Sequence, residues 1–124
     1  MDIRIKAHDF VVTEDTSAYL EERLKTIENH LGADAEGARV EVELGRGAGH
    51  SKHGDNWFAQ MRIVITGSDL LHAEADAETV NAAIDILKDE MLAVLKKSRT
   101  RRIVVARKIG AKVKEWLHSD TEEQ

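Results

Sequence analysis

The densest chemistry in this sequence is electrostatic. Lys96, Lys97, Arg99, Arg101 and Arg102 put five cations into the seven residues KKSRTRR, and residues 96–114 as a whole hold nine Lys and Arg with no Asp or Glu. Residues 1–95 carry nine Lys and Arg against nineteen acids, and residues 115–124 carry four acids and neither Lys nor Arg. Half the positive charge therefore occupies about a seventh of the chain, so the net charge of −5 says less about partners than its distribution does. One or two cations at a helix end need no ligand, since the helix dipole rewards them by a few tenths of a kcal/mol. A run of this length suits nucleic-acid phosphates, because each phosphate neutralised releases condensed counterions. Such contacts give affinity without reading sequence.

Other reactive side chains point nowhere in particular. His50 and His53, with Asp55, have the character of metal ligands, but they stand in Gly45 to Asp55, a stretch with four glycines and no evident further ligand. An ordinary loop is the expectation there, and no metal. Ser17, Ser51, Ser68 and Ser98 have no neighbouring base or nucleophile elbow. The glycines at 45, 47 and 49 do not form a nucleotide phosphate loop. Zero cysteine removes thiolate catalysis, disulfides and sulfur ligands together. No catalytic residue, cofactor or small-molecule substrate is expected. With 42% apolar and 33% charged residues, no apolar run approaches the ~20 residues that span a bilayer. MDIRIKAHDF lacks the basic and apolar regions of a secretory signal. The expectation is a cytoplasmic protein without a membrane partner.

The elements that must position the basic run follow from hydrophobic period. Ile3 and Ile5 alternate with Arg4 and Lys6, predicting a half-buried strand, with Phe10 and Val12 continuing toward the core. Thr13 is a good N-cap for a helix over about 14–31, whose stripe is Leu20, Leu24, Ile27 and Leu31 and whose stop is Gly32. Val40, Val42 and Leu44 alternate in a second strand. Trp57 to Ile65 reads as a third, with Trp57 and Phe58 on opposite faces. Gly67-Ser68-Asp69 is turn chemistry leading to a fourth strand, where Leu71, Ala73 and Ala75 alternate and His72 lies beside Glu74 as a surface pair. The period then changes: Val80, Ile84, Leu87, Met91 and Leu95 mark a second helix over about 77–99, with Asp76 as its expected cap. The order β-α-β-β-β-α predicts an α+β fold, a four-stranded sheet with both helices on one face. At 124 residues there is one core. Residues 1–100 form the domain, and 101–124 form a basic then acidic tail, partly helical or disordered. In that tail Val105, Ile109, Val113 and Trp116 allow a further helical stripe weakened by Gly110, IVVA allows a strand instead, and SDTEEQ is expected to be disordered.

The segment HAEADAETVNAAIDILKDEMLAVLKKSR, together with the first helix TEDTSAYLEERLKTIENHL and the element order, resembles the bacterial ribosome hibernation promoting factor and ribosome-associated inhibitor family, also called the sigma-54 modulation protein family. The resemblance rests on the strand HAEA, on AAID at Ala82 to Asp85 and on the basic end from Lys96, and it covers about residues 1–100. It implies a fold like that of double-stranded-RNA-binding domains. It also implies binding to 16S rRNA between head and body of the small ribosomal subunit, over the A and P sites, with arrest of translation in starved cells. The chain is similar to the short members, which lack a C-terminal dimerisation domain. Arg23 matches a basic position of the family's first helix, with Lys25 nearby. Glu90 and Ala93 stand where members usually have further cations, and Asn81 where an aromatic is common.

The expected function is thus a non-enzymatic translation inhibitor, gripping rRNA phosphates with Arg23, Lys25, Lys88, Lys96, Lys97, Arg99, Arg101 and Arg102. The alternative is a diverged protein-interaction module, a homodimer or a docking partner, working through the open sheet face and the tail.

Overall fold

A computed structural model describes residues 1–47, 57–67 and 70–122. The chain runs β1 (Asp2–His8), α1 (Glu14–Leu31), one 3-10 turn (Gly32–Ala35), β2 (Ala38–Arg46), β3 (Trp57–Ile65), β4 (Leu70–Ala77) and α2 (Val80–Glu122). The four strands form one sheet in the order β1-β2-β3-β4. β1 and β2 are parallel, as a strand–helix–strand crossover demands, and the other two pairs are antiparallel. This is the α+β fold expected from the sequence.

Alternation decides which strand residues meet the helices. Val40, Val42 and Leu44 of β2, Ala59, Met61 and Ile63 of β3, and Leu71, Ala73 and Ala75 of β4 are buried on one side. Leu20, Leu24, Ile27 and Leu31 of α1, and Ile84, Leu87, Met91 and Leu95 of α2, close over them into a single core. The small alanines of β4 let α2 lie close to that edge. β1 departs from expectation. Its Ile3 and Ile5 are in register with Val40 and Val42, yet they stay 39% and 41% exposed, because an edge strand has no neighbour on its outer side.

Local chemistry sets the helix ends. The Thr13 hydroxyl accepts from the Thr16 amide at 3.2 Å, and Glu14 and Asp15 follow it in the first turn. Gly32 ends α1 at φ 57°, where its amide donates to the Glu28 carbonyl. The expected cap of α2 is corrected. Asp76 lies within β4, opposite Phe58, and it is Thr79 that caps: its hydroxyl accepts from the Ala82 amide at 3.1 Å and its carbonyl from Ala83 at 3.0 Å.

The far end of α2 differs most. Expected to stop near residue 99, it continues without a break to Glu122, 43 residues in all. Gly110 does not interrupt it, and the segments read as an alternative strand (IVVA) and as disorder (residues 119–122) are helical. Neither α-helix is long and apolar enough to cross a membrane among the described residues.

On the open face of the sheet His8 faces Glu43 at 3.4 Å, and His72 faces Glu74 at 3.5 Å as expected. Phe58 also lies on this face, but it is only 7% exposed, lying over Gly45 with its ring centroid 6.0 Å from that of His8. Trp57, on the other side, packs edge-on against Phe10 at 5.0 Å.

Candidate nucleic-acid interface

The two helices are locked side by side by one carboxylate. Asp85 of α2 accepts the Tyr19 hydroxyl at 2.5 Å and the Arg23 Nε at 3.0 Å, and the Arg23 guanidinium lies 3.6 Å from the centroid of the Tyr19 ring. The Tyr19 hydrogen bond, more than the nearby Arg23 charge, holds the Asp85 carboxyl below its ordinary pKa against the opposing effect of burial. The same bond pushes the Tyr19 phenol up. Further along, Arg99 donates to the carbonyl of His30, one of the carbonyls a helix leaves unpaired at its C-terminus. Arg102 meets Asp34 at 3.2 Å. Partners Tyr19, Arg23, His30 and Asp34 ascend with Asp85, Arg99 and Arg102, so the helices run in the same direction.

These contacts sort the eight cations expected to bind RNA. Arg23 is held by Asp85 and by Glu22 at 3.2 Å, and Lys88 by Asp89 at 3.1 Å. Arg99 and Arg102 anchor α2 to the end of α1. Lys25, Lys96, Lys97 and Arg101 are exposed. Lys25 is not brought to the others. Two residues beyond Arg23, it sits about 200° further round α1, and Arg23 faces α2. The structure therefore gathers Lys96, Lys97 and Arg101 at the point where α2 leaves the core. Beside them His30, Leu92, Leu95, Lys96, Arg99 and Ile103 line a groove of about 360 Å³.

Helical continuity past residue 102 adds cations that in sequence are only part of a charge run. At 100° per residue Lys97, Arg101, Lys108 and Lys112 fall on one flank of α2, a row of about 22 Å. All four are exposed, and none is ion-paired among the described residues. The signal was present in the sequence as the spacing i, i+4, i+11, i+15, but it has meaning only once Gly110 is known to be helical. No group of three metal-ligating side chains occurs among the described residues; His50, His53, Asp55, Ser51 and Ser68 lie outside them.

Comparison with known proteins follows the same outline. Residues 3–103 match the family described as sigma 54 modulation protein / S30EA ribosomal protein. The N-terminal domain of Protein Y from Thermus thermophilus is similar in structure, with 19% identity, a TM-score of 0.62, and coverage of 78% of this chain and 98% of that one. A ribosomal subunit interface protein from Coxiella burnetii is similar too, at 10% identity and a TM-score of 0.64, covering 81% of this chain and 99% of that one. No curated protein matches the sequence closely enough to add a relative. The family match ends at residue 103, and α2 continues for nineteen residues more, to Glu122.

Proposed function

We propose that this chain, which belongs to the sigma 54 modulation protein / S30EA ribosomal protein family, is a ribosome-associated factor that binds the small subunit and halts translation. Phosphates of 16S rRNA near the A and P sites are gripped by the cations of α2 from Lys96 onward. The body of the domain then excludes transfer RNA and messenger RNA by its volume, and no bond is made or broken. The observation that carries this reading is the acid-free run of nine cations over 96–114, displayed along one helix whose residues from Lys96 to Leu117 are exposed except for half-buried Ser98. Arg23 and Lys88 take a lesser part, since each already has a carboxylate. Association of this kind belongs to the cytoplasm, where ribosomes are.

Co-sedimentation with small subunits through sucrose, repeated over a salt series, tests this. The protein should travel with the subunit at low salt and leave it steeply as salt rises. Reversing the charges at Lys96, Lys97, Arg99, Arg101 and Arg102 should release it. A reversed protein that still arrests translation refutes the mechanism.

A second reading, a module that binds protein, draws on a separate observation. The exposed part of α2 carries Val105, Ile109, Val113 and Trp116, all between 49% and 63% exposed. The open sheet face offers less, because Phe58 is buried there.

A further inference from the structure

The buried stripe of α2 does not end with the core. Ile84, Leu87, Met91 and Leu95 are buried. Continued at steps of three and four, the same line passes Ser98 and Arg102 and then meets Val105, Ile109, Val113 and Trp116. Only the middle, where the helix leaves the sheet, is polar. Beyond it every residue from 101 to 117 is exposed. Most helices owe their stability to a packed apolar face. Among the described residues the stripe of this segment, Val105, Ile109, Val113 and Trp116, is 49–63% exposed.

We infer that the extension of α2 pairs with the same segment of a second copy of this chain, antiparallel and centred on Ile109. Charge and spacing choose this occupant. In that register Val105 of one copy is level with Val113 of the other, and Ile109 meets Ile109. Trp116 comes level with Arg102, an aromatic face beside a guanidinium. Each cation of the middle section is level with an uncharged residue: Arg107 with Ala111, Lys108 with Gly110, Lys112 with Ala106, Lys114 with Val104. Glu115, the first acid after the cationic run, comes level with Ile103, next in sequence to Arg102. A parallel pair would instead align nine cations with nine cations, and like charges in register oppose association. The contact is isologous, as a two-fold dimer requires. With about five helical turns in contact it lies at or below the low end of stable interfaces, roughly 1,200 Å², so the dimer dissociates on dilution. It does not depend on ribosome binding, and it occupies part of the surface that binding would use.

The chain has no cysteine, so introduced ones report without background. The full-length protein, treated with nuclease, is followed by sedimentation equilibrium from micromolar to near-millimolar concentration. The mass should double across that range, and Ile109→Asp should weaken dimerisation by roughly tenfold or more, since it places an unpaired charge in the contact. Ile109 is 57% exposed, so the core should melt as before. Under mild oxidation Ile109→Cys should cross-link to itself, and Val105→Cys to Val113→Cys in a mixture. A monomer at every concentration overturns the inference and leaves the stripe to a different protein. Efficient self-linking of Val105→Cys overturns the antiparallel arrangement. A dimer abolished by nuclease overturns it as well, since nucleic acid would be the bridge.

Discussion

Lys96, Lys97 and Arg101 make the sharpest test of where phosphate binding resides. All three are exposed and none is in an ion pair among the described residues, so replacing them with Gln removes charge without unmaking a fold contact. Removing one phosphate-binding cation reduces the slope of log K against log salt by roughly 0.7–0.9. Three such cations therefore take about 2–3 units off the slope, which between 50 and 200 mM salt is an approximately 20–40-fold smaller loss of affinity. Binding of labelled protein to purified small subunits, titrated at four or five salt concentrations, gives the slope directly. The melting temperature should stay within a degree or two, because surface substitutions away from packed features change stability little. A triple variant with the parental slope and affinity would refute the assignment, whatever else held the protein on the ribosome.

Two further outcomes follow from contacts within the domain. The Asp85 carboxyl is held below its ordinary value, so it contributes stability above the unfolded pKa of about 4 and loses it as pH falls through the folded value. The Tyr19 phenol is raised above 10.0, so its share is present below that pH and lost as pH climbs through the folded value. Urea unfolding against pH should show a plateau between the two, and Asp85→Asn should flatten the acid limb. The effect is small, because the Asp85 side chain is 43% exposed and solvent screens the pair. Gly45→Ala is the steric test. The new Cβ would lie 2.4 Å from Phe58 Cε1 and 2.6 Å from Cζ, so the ring must leave its seat, at a cost of about 1–3 kcal/mol by overpacking. Pairing it with Phe58→Leu should recover part of that stability in chemical denaturation; a full additive cost would mean that the ring is not the obstacle.

Period-based features were legible because one residue pattern sufficed for each. Thr13 and Gly32 bound α1 where capping chemistry placed them, and the alternation in β2, β3 and β4 sorted core from surface. Misreadings arose where two local signals competed. Asp76 and Thr79 are both acceptable caps, and the choice fell to Thr79 because β4 holds Asp76 in register with Phe58. Gly110 lowered helix propensity by about 1 kcal/mol but did not stop a helix whose flanking residues are mostly good formers. At the candidate interface, total charge was legible and its use was not. That Arg23 serves Asp85, and that Arg99 and Arg102 serve the end of α1, depends on residues more than sixty positions apart meeting, which no local spacing reveals. Tyr19 gave no signal at all until its hydroxyl found Asp85.

The cations of α2 thus divide between root and shaft, and the division can be tested by keeping charge and changing shape. Arg99 and Arg102 hold the helix where it departs from the core: one guanidinium reaches the His30 carbonyl and the other Asp34. Lysine preserves the charge but has neither the planar fork nor the same reach. Arg99→Lys with Arg102→Lys should therefore leave the salt slope of subunit binding nearly intact while loosening the root. Exposed contacts of this sort are worth about 0.2–1 kcal/mol each, and a total near 1 kcal/mol corresponds to an approximately fivefold faster local opening. Hydrogen exchange should show that acceleration at amides near residues 99–106, and not at Ile84 to Met91, which the core protects. If exchange is unchanged while affinity falls at a constant slope, both arginines hold phosphate through their guanidinium forks and are not what fixes the root. If exchange quickens and binding holds, the shaft from Lys97 to Lys112 binds through charge, and the root only aims it.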